Sequence, residues 1–263
     1  MTRQRLAQLP RMDEYSPRAA AEIGDVYIAA CIDALYTGDL PAALAAARRL
    51  PADDLFGANS YVARCMEIPP LVLTGELDAA LDRATRMWDG WLRAGRSPSG
   101  WMLPAVAMAA LAHRFRDDAA ASALWRSRLL DLAGPKRAAQ VATLAFLDAR
   151  AAVHTGDLTG APRIVERAFA PFTLAWAAPY ARAAGAELAV VAGLPDAADR
   201  LASATGVAAY NRWAAACLAR ATARHTGDPD RYAAAIAGWA GIDAHPEIAV
   251  PIFGVPGPSR ARP

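Results

Sequence analysis

The stretch Tyr36-Thr37-Gly38-Asp39-Leu40 is the clearest copy of a short turn that recurs along this chain. Related copies centre on Gly75, Gly156 and Gly227, and weaker ones lie at Arg116-Asp117 and at Gly193. Successive copies are separated by about 34 to 41 residues, a period typical of stacked helical hairpins. The sequence therefore predicts an all-α fold, an α-solenoid of about six antiparallel helical hairpins.

Each turn also indicates how its hairpin is built. A glycine after an apolar helix tolerates the left-handed conformation that ends the helix, and the acid that follows favours the start of the next one. Asp228-Pro229 is the sharpest case, because aspartate is a good N-cap and proline loses no hydrogen bond as the first helical residue.

Small residues recur at fixed distances from the turns. Alanine stands five residues after five of the six markers, at Ala43, Ala80, Ala121, Ala161 and Ala198. Seven residues before the markers, four of six positions are small, and Arg220 is the clear exception. Such positions are expected where helices cross closely.

With this pattern the chain resembles the tetratricopeptide repeat family. The stretches 37–43 and 74–80 carry the family's Gly-acid-apolar turn and its following alanine, and the resemblance covers roughly residues 20–245. It implies a right-handed superhelix whose first helices line a concave groove. The repeats are degenerate, like those in the C-terminal arrays of LuxR-type ATP-dependent bacterial transcriptional activators.

That resemblance implies a non-catalytic scaffold that binds a protein, a peptide or a small ligand. The sensor or adaptor part of a bacterial transcriptional regulator is one such role. On either side of the array at 20–245 we expect an N-terminal segment, 1–19, and a proline-rich C-terminal tail, 246–263. Apolar array ends would leave dimerisation through them open.

Composition argues against several other classes. The net charge is only +2 with acids and bases interspersed, which argues against direct nucleic-acid binding. Neither a secretion signal at the start nor an apolar run long enough for a membrane span is recognised. Three widely spaced cysteines, Cys31, Cys65 and Cys217, indicate buried, reduced thiols and a cytoplasmic protein.

Motifs for catalysis are missing from the sequence. It has no Gly-x-x-x-x-Gly-Lys-Ser/Thr loop, no His-Glu-x-x-His pair and no Gly-x-Ser-x-Gly elbow. We therefore predict no enzymatic activity, no metal and no cofactor. The alternative is an all-helical enzyme whose active site lies in the groove, since catalytic residues can converge in three dimensions alone.

Residues that face the groove in the family define a candidate binding site with an apolar floor and few polar groups, which suits a small amphipathic ligand or a peptide helix. The polar and aromatic candidates are Asp25, Tyr36, His113, Arg114, Phe146, Arg150, His154, Tyr180, Glu187, Arg224 and His225. Among them Arg114, Arg150 and His154 are predicted to bind an anionic or hydrogen-bonding group. The three histidines have a structural alternative, because an imidazole at a helix C-terminus complements the helix dipole.

Overall fold

The computed structural model describes residues 19–50, 61–96, 100, 102–138, 142–172 and 176–248. Over these residues it contains thirteen helices and no β-strand, so the predicted all-α class is confirmed. The predicted N-terminal segment up to residue 18, and residues 249–263 of the predicted tail, lie outside the described residues. In chain order the helices are α1 Ala19–Thr37, α2 Leu40–Ala47, α3 Tyr61–Thr74, α4 Leu77–Arg93, α5 Met102–Phe115, α6 Ala119–Ala138, α7 Ala142–Thr155, α8 Ala161–Ala168, α9 Ala178–Val191, α10 Ala197–Ala208, α11 Arg212–Thr226, α12 Pro229–Ala240 and α13 His245–Ile248.

All six predicted turns contain a residue in the left-handed backbone conformation. In the third turn, where no glycine is present, Asp117 takes it with φ of 56°. Glycine is favoured elsewhere because it has no Cβ to clash with the backbone. The motif is therefore a signal that ends a helix, as the sequence predicts. The glycines, with φ between 62° and 90°, are Gly38, Gly75, Gly156, Gly193 and Gly227.

The acids after these turns cap the next helix in some pairs but not in others. Asp39 and Asp228 each accept a hydrogen bond from a backbone N–H in the first turn that follows. Pro229 is the first residue of α12, as predicted. Glu76 and Asp196 also stand at N-caps, but neither side chain makes a capping hydrogen bond. Their carboxylates still lie at the positive end of the helix dipole.

Consecutive helices pack as pairs, from α1 with α2 to α11 with α12. The first helices of successive pairs also contact one another in chain order, from α3 and α5 through α9 and α11. Several second helices contact the first helix of the next pair, as α2 does with α3 and α10 with α11. Each pair therefore buries its apolar residues against its neighbours along the chain.

The recurring alanines mark helix contacts in three of the six pairs. Ala43 and Ala80 are fully buried and Ala161 exposes 1% of its surface. In the third pair Ser122 is buried instead of the predicted Ala121, because the left-handed residue comes one position later. In the fifth pair the prediction for Ala198 is wrong, since that residue is exposed and the preceding alanine is buried.

The C-terminal end of α1, in the first helix pair, contacts the last two helix pairs through α9 and α11. The side-chain amide of Asn211, at the N-cap of α11, donates to the carbonyl oxygen of Tyr36 at 2.8 Å. The hydroxyl of Tyr180, in the first turn of α9, donates to the carbonyl oxygen of Leu35 at 2.7 Å. The carbonyl of Leu35 also accepts from the backbone N–H of Gly38 at 3.1 Å, so Tyr180 adds a second bond to it. The succession of pairs therefore curls until its two ends touch.

Candidate functional site

A group of buried charges lies where four helices meet. It comprises Arg150 from α7, Glu187 from α9, Arg220 and Arg224 from successive turns of α11, and Glu247 from α13. We call these five residues the arginine–glutamate cluster. The side chains of Arg150 and Glu187 are fully buried, and those of Arg220 and Glu247 expose 3%. Charged groups tolerate such burial only when they are paired and hydrogen-bonded.

Arg150 joins the two carboxylates of the cluster. Its Nη1 donates to Oε2 of Glu187 at 2.7 Å, and its Nη2 donates to Oε2 of Glu247 at 2.5 Å. Its Nε–H has no acceptor among the described residues. The guanidinium carbon lies 5.9 Å from the ring centroid of Trp213. Arg150 thus links α7 to both α9 and α13.

Arg220 contacts the same two acids with its whole guanidinium group. Its Nε and Nη2 donate to the two carboxylate oxygens of Glu187, the second bond at 2.8 Å. Nη2 also donates to Oε2 of Glu247 at 3.1 Å, while Nη1 donates to the backbone carbonyl oxygen of Glu247 at 2.9 Å. Arg224 adds a bond from Nη1 to Oε1 of Glu187 at 2.5 Å. Bidentate pairing of this kind gives directional as well as electrostatic stabilisation.

The cluster holds three guanidinium groups and two carboxylates, so it carries one excess positive charge. Burial raises the pKa of Glu187, but the charges of the three arginines, that of Arg220 first, outweigh burial and bring it to about 2. The thiol of Cys217 lies 3.4 Å from Oε2 of Glu187, and its pKa is raised by burial and then by that carboxylate. At neutral pH the acid is therefore ionised and the thiol neutral, which suits charge pairing and not proton transfer.

The segment 241–248 carries Glu247 into the cluster. Ile242 and Ala244 of this segment are fully buried. Pro246 packs on the turn after α3, where a Cβ added to Gly75 would lie 3.0 Å from the proline Cδ. Helix α13 therefore covers the cluster, and the tail predicted from residue 246 starts within a packed helix.

Aromatic side chains fill the space beside the cluster. The ring centroids of Phe146 and Tyr180 are 5.7 Å apart, and each lies 5.2 Å from that of Trp213. All three residues are almost fully buried. Phe146 packs edge-on against both other rings, whereas Tyr180 and Trp213 are tilted by 34°, and contacts of this kind between aromatic rings are favourable. These rings thus join α7, α9 and α11.

An open cavity of about 280 Å³ lies between the α5–α6 pair and the α7–α8 pair. We call it the Arg114 notch. Its polar wall includes Arg114, Arg126, Asp148, Thr155 and Asp157, and its apolar wall is formed by alanines and by single leucine and isoleucine side chains. A concave site with a few convergent polar groups is a typical place for a ligand.

Most charges of the Arg114 notch have partners within the protein. Asp148 is 8% exposed and accepts hydrogen bonds from both Arg126 and Arg167. The pKa of Asp157 is lowered, first by a hydrogen bond from the backbone N–H of Thr159. Arg114 is half-buried and donates no hydrogen bond to a described residue, and its charge helps to lower the pKa of Asp157. Its guanidinium group is therefore available to a ligand.

The residues predicted to bind together are distributed over two sites. Arg150, Glu187 and Arg224 meet in the arginine–glutamate cluster, whereas Arg114 lines the notch. His154 lies one turn after Arg150 on α7, with its ring 5.3 Å from that of Phe115. Of the remaining candidates, Phe146 and Tyr180 are buried, Tyr36 and His113 are half-buried, and Asp25 and His225 are exposed.

The histidines at the ends of first helices contact acids in the adjacent turns. Nδ1 of His113 lies 3.4 Å from Oδ2 of Asp118, and Nε2 of His154 lies 3.9 Å from Oδ1 of Asp117. Their positions in the last turns of α5 and α7 agree with the helix-terminus interpretation.

Sequence reasoning missed Arg220, Glu247 and Asn211. Arg220 could have been found, because it is the one arginine at a repeat position that is otherwise small or apolar. Glu247 stands in a proline-containing stretch with no helical periodicity, and Asn211 resembles an ordinary N-cap. No local pattern distinguishes the last two.

Comparison of the chain with protein-family models, with curated proteins and with solved structures gives no match in any of the three. Among the described residues no helix combines the length and the apolar composition needed to span a bilayer. The described part of the chain also has no group of three or more His, Cys, Asp or Glu side chains placed to hold a metal ion.

Proposed function

We propose that this chain is a non-catalytic binding scaffold, an α-solenoid of tetratricopeptide type that binds a polar ligand or a peptide segment in the Arg114 notch. Support for the solenoid comes from the left-handed turns and from the contacts of successive helix pairs in chain order. The likeness to LuxR-type arrays supports a role as sensor or adaptor in transcriptional control.

The observation that carries this proposal is the guanidinium of Arg114, which donates no hydrogen bond to a described residue and lies beside an open cavity. The other described basic residue that lines the notch, Arg126, already binds Asp148. A ligand that presents a carboxylate or phosphate oxygen would gain a charge-assisted hydrogen bond from Arg114. The apolar wall would accept the remainder of such a ligand.

The titratable groups that line the notch favour a binding scaffold over the alternative of a helical enzyme. A general acid or base works best with a pKa near the operating pH. Among the described residues that line the notch, Asp157 is the one whose pKa departs from its ordinary value. That pKa is lowered, away from neutrality. The buried thiols are no better suited, because burial raises their pKa values.

Native mass spectrometry of the full chain purified from its host tests the proposal. We expect wild type to carry a bound ligand or partner segment in unchanged chemical form, and Arg114→Ala to lose it. Arg163→Ala is the matched control, because Arg163 is exposed on the neighbouring helix α8 and does not line the notch.

Equal retention by wild type and by Arg114→Ala would refute binding in the notch. Conversion of the bound compound during incubation with wild type would refute the scaffold and favour the enzyme. Circular dichroism of each variant shows whether loss of the ligand reflects loss of the fold.

A further inference from the structure

We infer that the arginine–glutamate cluster is a receptor for a glutamate-bearing peptide segment of a partner protein, and that the chain's own Glu247 occupies this receptor. The inference goes beyond the Arg114 notch, involves different residues and does not depend on what the notch binds.

The two acids of the cluster differ in how they are attached. Glu187 belongs to α9, a helix of 14 residues that packs against four other helices, α7, α8, α10 and α11. Glu247 belongs to α13, which has four residues and follows the turn 241–244. Asp243 in this turn has φ of 57°, a conformation that non-glycine residues seldom adopt. A short helix of this kind, joined to the fold by a turn, opens more readily than long packed helices.

Glu187 would keep the receptor assembled without α13. Arg150, Arg220 and Arg224 each donate at least one hydrogen bond to its carboxylate. All three guanidinium groups are therefore positioned by an acid that stays in place. A preorganised site of this type binds its ligand without the cost of ordering its own side chains.

Withdrawal of Glu247 would remove the acceptor of three hydrogen bonds, and of the three donor nitrogens Nη2 of Arg220 would keep its other bond, to Oε2 of Glu187. Nη2 of Arg150 and Nη2 of Arg220 both point at Oε2 of Glu247, and Nη1 of Arg220 points at its backbone carbonyl oxygen. Three guanidinium groups would then face the single carboxylate of Glu187. Such an excess of buried positive charge requires an anion.

The three donors also indicate which anion fits. They contact a side-chain carboxylate and the main-chain carbonyl of the same residue, so a glutamate within a bent peptide satisfies all of them and a free carboxylate satisfies only two. Pro246, which precedes Glu247, packs on the turn at Gly75. A partner segment that matches these contacts therefore has a proline or a similar apolar residue directly before its glutamate.

The test measures binding of a labelled peptide of residues 241–248, Gly-Ile-Asp-Ala-His-Pro-Glu-Ile, to the full-length chain by fluorescence anisotropy. Glu247→Gln weakens the internal occupant and preserves its size. We expect this variant to bind the peptide at least about tenfold more tightly than wild type does. A peptide with glutamine in place of its glutamate should bind that variant at least about tenfold more weakly.

Glu166→Gln is the matched control, because Glu166 pairs with Arg200 at the surface and its side chain is 68% exposed. This variant should bind the peptide no more tightly than wild type. Equal affinity for the glutamate and glutamine peptides, or no binding by a folded Glu247→Gln protein, would overturn the inference.

Hydrogen exchange of wild type keeps the inference testable if Glu247→Gln does not fold. We expect the amides of residues 242–248 to exchange through a local opening, faster than those in the middle of α11. Exchange of both segments at the same rate, only through global unfolding, would overturn the inference, because α13 could then not vacate the receptor.

Discussion

Asn211 joins the end of the helical array to its beginning, because its side chain serves two helices at once. Its Oδ1 accepts from the backbone N–H of Ala214 at 2.8 Å as the N-cap of α11, and its Nδ2 donates to the carbonyl oxygen of Tyr36 at 2.8 Å. The two residues are 175 positions apart in the sequence. A single buried amide therefore contributes to both local and long-range structure.

Replacement of this amide should lower the free energy of unfolding. We expect Asn211→Ala to cost about 2 to 3 kcal/mol, the sum of a lost N-cap and a lost buried hydrogen bond. Asp196→Ala is the control, because Asp196 is the N-cap of α10 and makes no side-chain capping bond. Urea unfolding at pH 7 measures both variants, and equal losses would contradict the role given to Asn211.

Gly38 should tolerate a side chain far less well than Gly227. Both have positive φ, 72° and 74°, so alanine at either position carries a backbone cost of about 1 to 2 kcal/mol. At Gly38 the added Cβ would also lie 2.7 Å from the backbone nitrogen of Trp213, whereas nothing lies within 4 Å at Gly227. We expect Gly38→Ala to lose a further amount of roughly 1 to 3 kcal/mol, because backbone must move.

Thermal unfolding of the two alanine variants compares them directly. Equal melting temperatures for Gly38→Ala and Gly227→Ala would contradict the close contact between the backbone of α11 and the turn at Gly38.

Glu187 should make the protein sensitive to acid. Its pKa is lowered from 4.5 in the unfolded chain to about 2 in the folded protein, so its ionised form stabilises the fold above pH 4.5. That contribution, roughly 3 kcal/mol, is lost as the pH falls from 4.5 towards 2. The difference in unfolding free energy between wild type and Glu187→Gln should therefore be largest at neutral pH and shrink below pH 4.5.

Denaturant titrations at several pH values between 7 and 3 measure this difference. The matched control is Glu76→Gln, which removes an exposed acid whose side chain is 45% accessible and should change little at any pH. A difference for Glu187→Gln that does not vary with pH would show that the carboxylate charge is not the stabilising feature.

The three cysteines should be unreactive while the protein is folded. Cys31, Cys65 and Cys217 are buried free thiols, as predicted, and burial raises the pKa of Cys31 to about 12. The thiolate is the reactive form, so alkylation by iodoacetamide at pH 8 should be about a thousandfold or more slower than in guanidinium chloride. Mass spectrometry counts the modified thiols, and rapid labelling of the folded chain would contradict their burial.

Local features of the fold could be predicted from the sequence because short-range physics decides them. A left-handed glycine followed by an acid ends one helix and begins the next, so the turns at Gly38 and Gly227 required no knowledge of distant residues. Arg150 and Glu187 were named as candidates by their position in the repeat, but as members of an open groove, whereas both side chains are fully buried between helices.

The contacts that complete the candidate sites could not be predicted in the same way. Arg150 and Glu247 are 97 positions apart, and the helix that carries Glu247 is too short to show a hydrophobic period. The notch forms between two helix pairs, so its volume depends on how they pack. Single-sequence patterns carry no information on either relationship.

The bond between Asn211 and Tyr36 also fixes how many helix pairs this protein can have. Open repeat proteins lengthen or shorten during evolution by gain or loss of whole units, because each unit contacts only its neighbours. Here an inserted or deleted unit would move α11 away from the turn after α1, and α13 away from the turn after α3. Its copy number is therefore a structural constraint, and relatives of this chain should vary in loop length before they vary in the number of units.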